Sequence, residues 1–318
     1  MSTNPFFSVV IPLYNKEDYI KDTLNSVINQ TFKDFEIIII NDGSTDNSLK
    51  IAKATLLDCI NHTIIEQKNQ GLSSSRNNGI LKSMGNVIAL LDADDLWHNT
   101  FLETIYKLYN NFPEATIYGT DYQEKYSNKN IIDSKKNLNN KLKNRDFLVN
   151  DFFKANLHQS IVCQSSIAFK KSILEQPVFN PSISYAEDVD FYLKYFTKYK
   201  LAYAYQTKAT ILTNVPNQIT QLGIKGKTLP NLDYYEKYYS NNKSLKVYLD
   251  FKRYMYGILY KLENDKDNFK LVTKHLDLKN LTYKQRFLIT SPLFIIKLIR
   301  LIKMLFLKLN IRLTTFKN

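Results

Sequence analysis

The feature that most restricts how this chain can fold is an alternation running through its first hundred residues. Short β-branched runs, "FSVVIPLY" (7–14), "FEIIII" (35–40), "HTIIEQ" (62–67) and "NVIALL" (86–91), take turns with helical segments. Apolar runs of four to eight residues bounded by turn signals read as buried strands. Between them, "KEDYIKDTLNSVINQ" carries Tyr19, Ile20, Leu24, Val27 and Ile28 at helical spacing. "LKIAKATL" and "SSSRNNGILKSM" are the next two helices, and Ser44 or Asp46 stands where a cap for the former is needed. Strand–helix–strand connections of this kind are right-handed, so they build a mainly parallel sheet with helices on both faces. The expected class is α/β and Rossmann-like.

In open sheets of this class ligands bind beyond the carboxyl ends of the strands. Each of the four runs ends in polar residues: Tyr14 and Asn15, Asn41 and Asp42, Gln67 and Asn69, then Asp92, Asp94 and Asp95. One edge of the sheet therefore gathers the chemistry.

The carboxylates of "LLDADD" follow directly on apolar residues, and a buried carboxylate is costly without a partner. A hard divalent cation takes oxygen ligands and commonly uses one or two carboxylates plus substrate phosphate oxygens. The bland alternative is a solvated loop with Asp95 or Asn99 capping a helix through "LWHNTFLETIYKLY". In "NDGSTD", Gly43 permits a tight turn and Asp42 presents an acceptor for a base N–H, with an Asx turn as the alternative. Arg76, one helical turn after Gly71, is placed to hold a diphosphate or to pair with the carboxylates. "EDVDF" (187–191) puts acids where a helix begins, which suits either the helix dipole or a general base.

Taken together, "SVVIPLYNKEDYI", "EIIIINDGSTDNS", "NQGLSSSRNNGI", "NVIALLDADD" and "EDVDF" resemble, in order and spacing, the family 2 glycosyltransferases over residues 7–195. The resemblance implies a GT-A fold and inverting transfer of a sugar from a nucleotide diphosphate, with uridine as the preferred base. It implies Mn²⁺ or Mg²⁺ as cofactor on Asp94, with Asp92 facing the metal or the nucleotide sugar. Asp188 becomes the general base and Glu187 its neighbour. The implied donor-binding set is Pro12, Tyr14, Asn15, Asp42, Gly71, Arg76, Asp92 and Ala93. The implied acceptor is a glycan or lipid-linked saccharide of a bacterial surface polysaccharide. His158 falls where family members build the acceptor pocket.

The remainder is less patterned. "SNKNIIDSKKNLNNKLKNRD" (127–146) reads as an exposed insertion, and "NVPNQITQLG" (214–223) as a candidate lid. The expected catalytic domain covers 1–220, with a nucleotide-binding half to about 100 and an acceptor half beyond, followed by a helical extension over 221–318. A net charge of +13 raises a nucleic-acid partner, but nine Lys/Arg and no Asp/Glu lie between Leu278 and Asn318. The excess is local, and no nucleic-acid partner is expected. "SPLFIIKLIRLIKMLFLKLNIRL" instead sets Lys297, Arg300, Lys303 and Lys308 on one arc with apolar residues elsewhere, the pattern of an interfacial helix on an anionic membrane. The uncharged run from Phe287 to Ile296 is ten residues, too short to span a bilayer. Cys59 and Cys163 make no disulfide framework, and no basic n-region opens the chain. A cytoplasmic enzyme on the inner face of the membrane is the expectation. The rivals are a nucleotidyltransferase, which would be expected to carry a basic Gly-rich loop, and a membrane-associated nucleotide-sugar-binding protein without activity.

Overall fold

The computed structural model describes residues 4–59, 61–127, 130–213, 215–216, 218, 223–308 and 312–315. The alternating segments form β1 (Phe7–Leu13), α1 (Ile20–Ile28), β2 (Phe35–Asn41), α2 (Ser48–Thr55), β3 (His62–Glu66), α3 (Leu72–Lys82) and β4 (Val87–Leu90). Their strands pair in parallel in the order β3-β2-β1-β4. The sheet continues through β9 (Ile167–Lys170), β6 (Ile117–Ser127), β10 (Leu201–Leu212) and β5 (Leu96–Trp97). Here the direction changes. β9 runs antiparallel to both β4 and β6, while β6 and β10 are parallel.

Alternate residues of β1 divide the core between the two faces. Val10 packs with Ile38, Ile88 and the Ile80 side of α3. Phe7, Val9 and Ile11 pack with α1, with Ala52 and Leu56 of the α2 segment, and with α4 (Phe101–Asn111). α3 lies so close to β1 that a Cβ at Gly79 would stand 2.3 Å from Val10 Cγ1. That close approach sets the position of Arg76, three residues earlier on the same helix.

Two sequence readings are corrected. The segment 127–146 is largely exposed, as expected, but it is built into the sheet rather than inserted beside it. After β6 the chain forms β7 (Asn130–Asp133) on β6 and β8 (Asp146–Leu148) on β10. Ser134 and Lys136 are buried, and Leu138 and Leu142 pack on the main core. The lysine is accommodated because Asp121 stands 3.4 Å away, Ser160 O accepts at 2.6 Å and the Tyr122 ring lies beneath its ammonium. The helix expected from Leu96 begins at Phe101, since Leu96 and Trp97 pair with Thr210 and Ala209. Asp95 and Asn99 therefore cap nothing. Gln30 Oε1 receives the N–H of Leu102 instead.

The C-terminal helices share the core of the sheet. α8 (Lys243–Leu262) contributes Leu245, Tyr248, Leu249, Tyr256 and Tyr260 to the buried cluster that holds Ile88 and Phe169. α5 (Phe152–Ala155) and α6 (Glu187–Tyr195) meet it through Phe153 beside Tyr248 and Phe152 stacked on Phe196. α7 (Leu232–Tyr238) and α9 (Lys266–Thr273) pack against α8. α10 (Tyr283–Thr290) and α11 (Leu293–Lys308) follow. Among the described residues no helix is long and apolar enough to cross a membrane.

Candidate active site

A cavity of about 780 Å³ opens at the carboxyl ends of β1, β2 and β4, within the range of small-molecule sites. Pro12, Tyr14, Asp42, Arg76, Asp92, Ala93, Asp94, Glu187 and Asp188 all line it. Asn15, Gly71 and His158 do not. Asn15, at φ +50°, accepts the Thr45 N–H at 2.8 Å and shapes the loop after β1. Gly71 donates its N–H to Asp42 Oδ2 at 2.8 Å.

Asp42 ends β2 almost fully buried. Besides Gly71, Gln67 Nε2 and the Gln70 N–H donate to its Oδ1, each at 2.8 Å. A carboxylate offers about four acceptor sites, so room for one further donor remains. Asp42 thus organises the loop before α3 and still faces the cavity, with exposed Tyr14 as its aromatic neighbour. Asp46, a candidate cap for α2, makes an Asx turn just before it, accepting from Ser48 N and from Glu17 N.

The DADD segment is held on every side. Asp95 N–H bonds to Asp92 O, Thr23 Oγ1 donates to Ala93 O, and Asp92 N–H donates to Ser165 Oγ. Asp95 is buried rather than solvated, accepting from Ser165 Oγ and from Leu212 N. Burial, reinforced by the charges of Asp94 and Asp92, pushes its carboxyl well above the usual range. Asp94 is raised by burial too, against the pull of Lys16, whose ammonium stands 2.9 Å from Asp94 Oδ2. Lys16 reaches there because Ser48 Oγ pins its backbone N–H at 2.7 Å. Asp94 and Asp95 are thus both raised, with a single lysine beside them, and the site favours added positive charge.

Arg76 is 1% exposed and not a surface arginine. Its two terminal nitrogens reach Asp92 at 2.7 Å and Glu187 at 2.9 Å, and the Phe179 ring lies 5.3 Å away. Despite the burial, these two carboxylates hold its pKa above that of a free arginine. Arg76 thereby ties the end of β4 to the start of α6. Glu187, raised by burial against the pull of Arg76, is the first residue of α6. Ala186, just before it, sits at φ +61°, a left-handed conformation that costs a residue with a Cβ about 1 kcal/mol. That bend turns Glu187 to Arg76 and Asp188 to the cavity. The Asp188 carboxylate makes no hydrogen bond or ion pair with the described residues.

Several lining residues carry no motif. Lys16 lies in the loop after β1 and Gln164 just before β9, whereas Lys252, Met255, Tyr256 and Leu259 come from α8. Lys252 lies 5.0 Å from the Tyr248 ring centre, and burial lowers its pKa against the charge of Asp188. Arg312 follows α11 and pairs with Glu124 at 2.8 Å on the cavity wall. The α8 and Arg312 contributions have no local signature, because they depend on how the C-terminal helices dock. Most of the candidate lid, 214 and 217 and 219–222, lies outside the described residues.

A family model described as Glycosyl transferase family 2 matches residues 8–176, more than half of the chain. The chain belongs to glycosyltransferase family 2. It is 37% identical over 148 residues to Glycosyltransferase GlyA of Streptococcus pneumoniae serotype 4, covering 40% of this chain and 21% of that one. The match thus spans about a fifth of GlyA. An uncharacterized glycosyltransferase of Haemophilus influenzae is 28% identical over 87% of this chain and 98% of its own. Among solved structures, Staphylococcus aureus TarS 1–349 in complex with UDP-GlcNAc has a TM-score of 0.54 at 15% identity, covering 89% of this chain and 79% of that one. The mannosyltransferase PcManGT of Pyrobaculum calidifontis, with GDP-Man and Mn²⁺, has a TM-score of 0.52 at 16% identity over 88% and 72%. These likenesses establish a GT-A type of fold for this family 2 member.

Proposed function

We propose that this protein is an inverting glycosyltransferase. It moves a sugar from a UDP-linked donor to a hydroxyl of a glycan or lipid-linked glycan, with Mn²⁺ or Mg²⁺ at the donor site. One observation carries the reading: Asp42, Arg76, Asp92, Asp94 and Asp188, from four separate segments, line a single cavity.

The carboxylates fit a hard cation. Asp94 already attracts a positive charge, the Lys16 ammonium, and burial, with the charges of Asp94 and Asp92, raises the Asp95 carboxyl. Among the described residues no cluster of three or more His, Cys, Asp or Glu forms a closed metal cage. That matches an ion held by one or two carboxylates and completed by diphosphate oxygens and water. Asp94 would hold it, with Asp92 beside it. When bound, such an ion would neutralise charge on the departing diphosphate.

The protein's own groups supply the rest. The acceptor hydroxyl loses its proton to the Asp188 carboxylate as its oxygen forms a bond to the anomeric carbon. The bond from that carbon to the diphosphate breaks with its electron pair going to the leaving oxygen, on the opposite face, so the configuration inverts. Arg76 spends both terminal nitrogens on Asp92 and Glu187, so it acts as a positioning residue that fixes the donor carboxylate relative to the base helix. Asp42 would accept the imide N–H of uracil and Tyr14 would face its ring.

The segment beyond about residue 220 would serve the acceptor and the membrane. Phe294, Leu298, Leu301 and Leu305 of α11 are 51–69% exposed, beside Lys297 and Arg300. The Lys308 side chain lies outside the described residues. An exposed apolar stripe flanked by cations fits the headgroup region of an anionic leaflet. Calorimetric titration of UDP with and without Mn²⁺, against the protein and its Asp94→Ala variant, tests the donor site. Metal-dependent binding that the substitution abolishes is the expected result. Absence of binding by UDP, GDP and dTDP alike would overturn the reading.

A further inference from the structure

The proposed function leaves unexplained why a buried side chain at the cavity wall has no partner. Gln164 is 5% exposed and lines the cavity, yet neither Oε1 nor Nε2 makes a hydrogen bond. Among the described residues it is the glutamine whose donor and acceptor are both orphaned. Buried polar groups in folded proteins are almost always paired, and an exception calls for an explanation. An absent ligand in the cavity it faces is such an explanation.

The backbone around Gln164 is fixed from two sides. It opens a short 3₁₀ turn, Gln164–Ser166, in which the Cys163 N–H donates to Ser166 Oγ at 2.9 Å. Next to it, Ser165 Oγ receives the Asp92 N–H and donates to Asp95, and Ser165 O accepts from Trp97 Nε1 at 2.6 Å. Two residues before, Val162 O accepts the Tyr192 hydroxyl at 3.1 Å, and Tyr192 belongs to the helix that carries Asp188. Gln164 therefore sits on the strap joining the carboxylates proposed for the diphosphate to the helix proposed for the base. What lies between diphosphate and base in a transfer reaction is the sugar ring.

We infer that Gln164 reads the transferred sugar, its carboxamide pairing with adjacent hydroxyl or acetamido groups of a neutral hexose or N-acetylhexosamine. This rests on the donor-site reading above. A carboxamide donates and accepts at once, as a pair of neighbouring sugar hydroxyls does. An acidic sugar is disfavoured there, because the carboxylates of Asp92, Asp94 and Asp188 line the same cavity.

The test is a calorimetric series with Mn²⁺ present: UDP, then UDP-glucose, UDP-galactose, UDP-GlcNAc, UDP-GalNAc and UDP-glucuronate, against the protein, Gln164→Ala and Gln164→Leu. With the unsubstituted protein, one neutral sugar raises affinity above that of UDP. Both variants are expected to keep UDP affinity within twofold while losing about 10- to 100-fold of that sugar-dependent gain. Gln164→Leu is also expected to melt at a higher temperature without ligand, because it removes an orphaned polar group. A merely structural glutamine would instead destabilise on replacement. An unchanged sugar ranking in the variants, or UDP affinity falling in step with sugar affinity, overturns the inference and leaves the donor site standing. Absence of any nucleotide binding by the unsubstituted protein overturns both.

Discussion

Replacing Arg76 by methionine removes a cation that joins Asp92, after β4, to Glu187 at the start of α6. The guanidinium is 1% exposed, and its partners differ: the Glu187 side chain is 13% exposed and that of Asp92 is 32%. The Asp92 pair is partly wet and is worth about 1 kcal/mol. Glu187 would be left as a buried, unpaired carboxylate, and breaking a buried pair in this way costs about 3–5 kcal/mol. Arg76→Met is therefore expected to lose about 4 kcal/mol in urea unfolding without ligands, at unchanged m-value. Glu187→Gln on the same background should recover about 2 kcal/mol of this, since the orphaned charge is then gone. The deficit also depends on pH. Burial already raises the Glu187 carboxyl, and the loss of Arg76 raises it further. A carboxyl raised in the folded state favours folding at low pH and loses that advantage as pH rises through its folded value. Arg76→Met should thus be closer to the parent at pH 5 than at pH 8. A loss below about 1 kcal/mol, or no coupling to Glu187, would refute the bridging role.

Asp188→Asn is expected to cut transfer by 10²–10⁴-fold, about the contribution of a general base, with UDP affinity unchanged by calorimetry. Lys136, lowered to about 8 by burial against the charge of Asp121, gives a signature at alkaline pH. The unfolded chain holds this proton up to about 10.4, so between about 8 and 10.4 it binds more protons than the native state and stability rises with pH. The rise is worth about 3 kcal/mol, and urea unfolding of Lys136→Met should lack it. Leu298→Glu with Leu301→Glu removes two exposed apolar side chains from α11, and sedimentation with anionic vesicles should fall about a hundredfold. Unchanged sedimentation would discard the interfacial helix.

The parallel half of the sheet was legible because β1, β2 and β4 are buried on both faces and its polar residues crowd at the strand ends. Each of those signals is local, and Asp42, Arg76, Asp92 and Asp94 all reached one cavity. The errors have a common physical source. A cap stayed open as the alternative for Asp95 because sequence does not show that Ser165 and Leu212, 70 and 117 residues away, bond to its carboxylate inside the core. The sheet pairing within residues 127–146 was missed because polar composition does not show that Asp121 and Ser160 O stand ready to solvate a buried Lys136. The left-handed Ala186 that aims Asp188 has no residue-type signal at all, since alanine is an ordinary helix former.

The C-terminal helices bear most on the proposed relation between cavity and membrane. α8 buries its tyrosines in the core of the sheet, so Lys252 and Tyr256 belong to the same rigid wall as Asp188. Beyond α11, Arg312 returns to that wall and pairs with Glu124, while Asn130 Nδ2 donates to Leu307 O at the end of the helix. The exposed apolar stripe is thereby tied at two points to β6, which lines the cavity, and to β7, which pairs with β6. In the proposed function this geometry has a purpose. A helix lying on the leaflet would hold the cavity mouth at a fixed height above the lipid surface. An acceptor sugar carried on a lipid would then meet Asp188 without a search in three dimensions. A soluble acceptor would gain nothing from such an arrangement, which is the physical reason for favouring a lipid-linked one.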